Sequence, residues 1–197
     1  MRKTILVLSV LIAGFSVIFF SCDSIDTKKA EMKPAVISRD SLVKRGGYLV
    51  SIMGCDDCHS PKNMTAQGPV VDMDHRLSGY PAQRPMMKVD QNAIKSGWTL
   101  FNGDLTSAVG PWGVSFSANI TSDPKTGIGN WTEEQFKKAL TQGKAKGLDK
   151  SRSLLPPMPW QNFSNLHDED IRAIYLYLLS LKSVENIVPE PKQLSEL

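Results

Sequence analysis

The sequence predicts an all-α domain carrying a long irregular insertion. Apolar residues recur at helical spacing near residues 38–54, 132–143 and 168–180, while about 70 residues from Pro61 to Asn130 show little period of any kind. Twelve Pro and fourteen Gly among 197 residues send much of the remaining chain into turns. At this length one core is expected, spanning residues 38–185. The 23 basic and 20 acidic side chains give a net charge of +3, which falls to +1 without Arg2 and Lys3. Such a balance builds no nucleic-acid surface.

Residues 1–21 read as an export signal. Arg2 and Lys3 precede an apolar run from Ile5 to Phe20, shorter than the roughly 20 residues that span a bilayer comfortably. The run ends in Ser21-Cys22, a small residue before a cysteine, which resembles the lipobox of bacterial lipoproteins. That resemblance implies acylation of Cys22 and cleavage before it, with durable anchoring by several acyl chains. The alternative is an uncleaved anchor with an incidental cysteine. Both place the domain outside the cytoplasmic membrane, on its periplasmic side. Residues 22–37, polar and lysine-rich, read as a flexible tether.

In the first helix, Leu42, Val43, Leu49, Ile52 and Met53 fall largely at helical spacing, with Lys44 and Arg45 at polar positions. Gly46 and Gly47 inside it cost about 1 kcal/mol each relative to Ala. That cost fits a second helix crossing closely at this point, with Tyr175 or Tyr177 lying over the glycines. The helix runs into Cys55-Asp56-Asp57-Cys58-His59, the C-x-x-C-H signature of c-type haem attachment. Two thiols one helical turn apart reach one porphyrin edge, and the adjoining histidine serves as proximal iron ligand. A zinc site would need two further ligands where the mature chain offers only His75 and His167. A redox dithiol should follow a buried strand, whereas the residues before Cys55 read as helix.

Downstream, a short helix is expected near Val89 to Ser96. Trp98, Phe101, Trp112 and Phe116 are expected in the core or against the haem. Thr132 begins a helix, with Gln135 completing a capping box and Gly143 as the stop. Lys137, Lys138, Lys144, Lys146 and Lys150 form either a solvated helix face or a surface that steers an acidic redox partner. The last helix, Asp168 to Ser180, lines up Ile171, Ile174, Tyr175, Leu178 and Leu181, with three acids at its positive end. Pro189 and Pro191 mark residues 186–197 as a frayed tail.

Gly46-Gly47-Tyr48-Leu49 ahead of C-x-x-C-H, a Pro156-Pro157-Met158-Pro159 stretch and the closing helix together resemble the class I cytochrome c fold. The longer likeness, including Ser117 to Thr132, is to single domains of the cytochrome c subunits attached to bacterial alcohol and aldehyde dehydrogenases. It covers roughly Leu42 to Val184, with one C-x-x-C-H where those subunits carry two or three.

Met64, Met73, Met86, Met87 and His75 could all reach the far side of a haem. Three prolines around Met158 stiffen its loop and lower the cost of presenting a thioether, and the resemblance makes Met158 the distal ligand. Trp112 and Asn119 are candidate donors to haem propionates. The expected function is one-electron transfer through a single covalent haem c, without substrate chemistry. Expected partners are a redox donor and acceptor and the membrane through a lipid anchor, with a stable dehydrogenase or oxidase complex as the alternative. An open sixth position would instead point to a gas-binding or peroxide-using haem.

Overall fold

The computed structural model describes residues 37–196. The export signal, Cys22 and nearly all of the tether lie outside the described residues. The frame is helical: α1 (Arg39–Ile52), α2 (Cys55–His59), α3 (Gln91–Lys95), α4 (Glu133–Gln142) and α5 (Asp168–Ser180). Ser38 caps α1, its hydroxyl accepting from the Ser41 amide at 3.2 Å. Thr132 and Gln135 close a reciprocal capping box on α4, and Gly143 ends that helix in the left-handed conformation.

Helices α1 and α5 cross where their sequences are smallest. A side chain at Gly46 would meet the Ala173 carbonyl oxygen at 2.0 Å, and one at Gly47 would meet the Tyr177 ring at 2.9 Å. Tyr177 therefore lies over the glycine pair. Tyr175 turns the other way, stacking on Phe136 with ring centroids 5.5 Å apart and donating to the Trp131 carbonyl at 2.6 Å. Around the crossing, Leu49, Val50, Leu77, Ile128, Phe136, Ile171, Ile174 and Leu178 form the main core. Each such side chain contributes about 1.5–3 kcal/mol of burial.

The all-α expectation holds for this frame and not for the insertion. Two small antiparallel sheets occupy it: β1 (Lys62–Thr65) with β2 (Gly68–Val71), and β3 (Leu100–Phe101), β4 (Ser107–Gly110) and β5 (Gly113–Phe116) in that order. The β4–β5 turn is Pro111-Trp112, with Gly113 at φ 97°, a conformation that admits glycine readily. Strands of four residues or fewer give a period of two no room to show.

The second sheet carries its own small core of Ile94, Val109 and Val114, packed against Val89, Leu100, Phe116 and Leu194. The C-terminal residues, expected to fray, instead pair with the edge strand of this sheet. Val114 and Lys192 exchange backbone hydrogen bonds at 2.8 and 3.1 Å, which sets Leu194 on that core. Trp98 and Phe101, expected in the core or against the haem, stand outside both protein cores, 67% and 46% exposed. Phe116 meets the expectation, its ring 4.8 Å from that of buried Tyr80. Among the described residues no helix is long and apolar enough to cross a membrane.

Candidate cofactor site

Helix α2 consists of Cys55-Asp56-Asp57-Cys58-His59 and nothing more. Its two thiols stand three residues apart, on one face of the turn, and are not joined to each other. Burial, helped by the charges of Asp56 and Asp57, pushes the Cys55 thiol up to about 11, and burial also raises Cys58. A dithiol oxidoreductase requires the opposite shift. Among the described residues no group of three or more His, Cys, Asp or Glu side chains is arranged to hold a metal ion by itself.

The His59 Nδ1–H donates to the Ala118 carbonyl at 2.8 Å. A carbonyl can only accept, so Nδ1 carries a proton, and in the neutral ring that leaves the lone pair on Nε2. Burial pushes the His59 pKa down, against the opposing pull of Ala118 and Asp56, a shift that favours the neutral ring. An oriented, neutral imidazole with one nitrogen tied back to the main chain is the ligand state an iron requires.

Ala118 is placed by two neighbouring segments. Residues 77–80 run beside residues 117–120, with Tyr80 N–H donating to Ser117 O at 2.9 Å and Ile120 N–H to Leu77 O at 3.0 Å. Between them Gly79 N–H donates to the His59 carbonyl at 2.7 Å. A side chain at Gly79 would strike the Ser117 carbonyl oxygen at 2.3 Å, so only glycine lets the two segments lie this close.

A polar clamp locks α2 to α5. Arg76 donates to both Asp56 oxygens at 2.9 and 2.6 Å and to the Tyr177 hydroxyl at 2.7 Å. Ser60 donates to Asp56 at 2.7 Å and accepts from the Leu77 amide at 2.9 Å. Although burial opposes it, Arg76 and Ser60 hold the Asp56 carboxyl below its ordinary range. A bidentate, half-buried pair of this kind is stronger than an exposed one.

Met158 is half-buried on a loop held at both ends. Ser115 on β5 donates to the Pro156 carbonyl at 2.6 Å, and the Trp160 indole packs against Gly143 at the end of α4. The strand that anchors the Met158 loop at Ser115 thus runs on to Ala118, the residue that orients His59. Three residues of extended chain span about 10 Å. Met64, Met73 and Met87 are 69%, 71% and 62% exposed. His75, on the surface, is bonded through Nδ1 to Asp72 at 2.8 Å.

The propionate candidates fare differently. Both amide protons of Asn119 are engaged, with Thr126 Oγ1 at 3.0 Å and the Val184 carbonyl at 2.8 Å. Its oxygen accepts from the Thr121 amide and hydroxyl. Asn119 therefore clips its own loop to the Val184 carbonyl. Trp112 directs its indole N–H toward Ser115 Oγ at 3.3 Å, beside the Met158 loop. Of the five lysines, Lys137 pairs with Asp168 at 2.7 Å and Lys138 with Asp149 at 2.8 Å. Sequence reasoning missed Gly79, Ala118 and Arg76, since two act through the backbone and the third pairs with a residue 20 positions away.

Two free thiols on one helical turn and an oriented, neutral imidazole make a donor set that fits a c-type haem. Comparison with known proteins points the same way. The chain is 33% identical over 142 residues to the gluconate 2-dehydrogenase cytochrome c subunit of Pantoea cypripedii, covering 72% of this chain and 24% of that protein. It is 32% identical over 140 residues to the cytochrome c subunit of the alcohol dehydrogenase (quinone) of Gluconobacter oxydans, covering 71% of this chain and 21% of that one. The fructose dehydrogenase cytochrome subunit of Gluconobacter japonicus is 29% identical over 179 residues, 90% of this chain and 28% of its own length. The chain spans under a third of these relatives, and no family model matches it. Over most of its length it resembles the cytochrome c subunits of dehydrogenases.

Proposed function

We propose that this protein is a one-electron carrier working outside the cytoplasm, with one covalent haem c ligated by His59 and Met158. Cys55 and Cys58 would hold the group by thioether bonds. When bound, the haem supplies an iron that alternates between ferric and ferrous states. His59 presents Nε2 at a fixed angle because Ala118 holds the opposite nitrogen. Met158, on a loop anchored at Pro156 and Trp160, offers a soft sulfur that favours the reduced state. Arg76 and Tyr177 keep α2 against α5, which would hold the two thiols and His59 in place around the group. The chain itself performs no substrate chemistry in this reading.

The observation that carries the reading is the bond from His59 Nδ1–H to Ala118 O within a C-x-x-C-H turn. The relatives are subunits of dehydrogenases, which favours a dehydrogenase as the electron donor and a standing complex with it. The apolar run ending in Ser21-Cys22 supports a lipid anchor on the periplasmic side of a bacterial membrane.

A haem stain on a denaturing gel, together with ferric and ferrous absorption spectra under carbon monoxide, tests the proposal. Stain that stays with the polypeptide and a ferrous form slow to bind carbon monoxide are expected. Haem that extracts with acid–acetone overturns covalent attachment. Rapid, complete carbon monoxide binding overturns Met158 as ligand and leaves the gas-binding or peroxide-using reading.

A further inference from the structure

The segment just past α5 converges on the residues that orient His59. The Asn186 side chain makes three hydrogen bonds, all to a single stretch of backbone. Its Nδ2 donates to Ser78 O at 2.7 Å and to Tyr80 O at 2.9 Å, and its Oδ1 accepts from Ala82 N–H at 2.9 Å. The two carbonyls it holds flank Gly79, whose own N–H supports the His59 carbonyl at 2.7 Å. Its main-chain N–H donates to Thr126 Oγ1 at 3.0 Å, and that hydroxyl also accepts from Asn119. Asn119 and Thr121 in turn bond to Val184 O at 2.8 and 3.4 Å. One short piece of chain thereby grips both segments that meet at Ala118.

The geometry points to Asn186 as a positioning residue for His59: it fixes the register of residues 78–82 against residues 117–118, and so holds the Ala118 carbonyl on the ring nitrogen. This rests on His59 being the proximal ligand, as proposed above. A peptide plane flanked by two captured carbonyls cannot swing, and Ser78 and Tyr80 are buried, so water does not replace a lost partner readily. Replacing Asn186 by Ala leaves the carbonyls of Ser78 and Tyr80 and the Ala82 N–H without that partner. The 78–82 segment then loosens against residues 117–118, and the His59 bond with it. A weaker bond at Nδ1 makes the imidazole a poorer donor, which disfavours the ferric state.

The test is hydrogen exchange by NMR of the Gly79 amide and the His59 Nδ1–H in the haem-loaded protein, with its reduction potential measured alongside. Leu194→Ala serves as comparison, since it loosens the same C-terminal stretch at a different core. After correction for global stability from denaturant unfolding, Asn186→Ala is expected to speed both exchanges at least tenfold and raise the potential. Leu194→Ala is expected to do neither. Equal exchange rates in the two variants, or a potential that does not move in Asn186→Ala, overturn the assignment. The Gly79 exchange can be read whether or not haem is attached. A protein without covalent haem that keeps the exchange difference would therefore fault the functional reading, while the Asn186 clamp would stand.

Discussion

Gly46→Ala isolates the helix crossing on which the site depends. In an exposed helix interior this substitution stabilises by about 1 kcal/mol, because alanine loses less backbone freedom. Here the new methyl would lie 2.0 Å from the Ala173 carbonyl oxygen, 2.5 Å from its carbon and 2.7 Å from Tyr177 Cβ. Two of these are backbone atoms that cannot rotate away. Restoring an ordinary 3.4 Å contact requires α1 and α5 to separate by roughly 1.4 Å. That motion strips Leu49 and Val50 from Ile171, Ile174 and Leu178 and draws Tyr177 from Arg76. Overpacking typically costs about 1–3 kcal/mol, and a backbone obstacle puts this case at or above the top of that range. After the propensity gain, a net loss of about 2 kcal/mol remains, lowering the midpoint by about 4–8 °C in a domain this size. Thermal unfolding followed by circular dichroism at 222 nm measures it. Gly103→Ala, where an added methyl meets nothing within 4 Å, should stay within about 0.5 kcal/mol of the parent. A Gly46→Ala midpoint equal to or above the parent's would refute the close crossing.

Further expectations concern single contacts. Thr132→Ala removes half of the α4 capping box and should cost about 1 kcal/mol in urea unfolding. Asp104 is buried, which opposes its charge, yet Thr106 and Arg84 hold its carboxyl below the ordinary range. Its stabilisation is therefore complete above the unfolded-state value of about 3.9 and is lost as pH falls through the lower folded-state value. Asp104→Asn should cost about 2 kcal/mol at pH 7 and flatten the acid limb of a stability–pH curve; an unchanged acid limb would count against the pairing. Met158→Ala should lower the reduction potential and speed carbon monoxide binding, while Met64→Ala and Met87→Ala should leave both unchanged; titration and flash photolysis distinguish them.

Much of the helical frame is local physics and is legible in the residues themselves. Ser38, the Thr132–Gln135 pair and Gly143 mark helix ends by chemistry that acts within four residues. The Gly46-Gly47 pair announces a close neighbour because an interior glycine is otherwise a cost. The C-x-x-C-H run is readable for the same reason, since its five positions sit on one turn. What the tertiary structure alone decides is which of two tyrosines covers the glycines, which carbonyl receives the His59 proton, and where the C-terminal residues go. Tyr175 and Tyr177 are both offered by the sequence, and the Trp131 carbonyl and Arg76 choose between them. Ala118 and Gly79 act through backbone atoms that every residue possesses, so no side chain advertises them. The Lys192 bridge to Val114 is likewise settled by pairing across many residues of sequence. An unpaired buried peptide group is costly, so the chain places each segment where a partner exists, and those partners become visible only once the fold brings distant residues together.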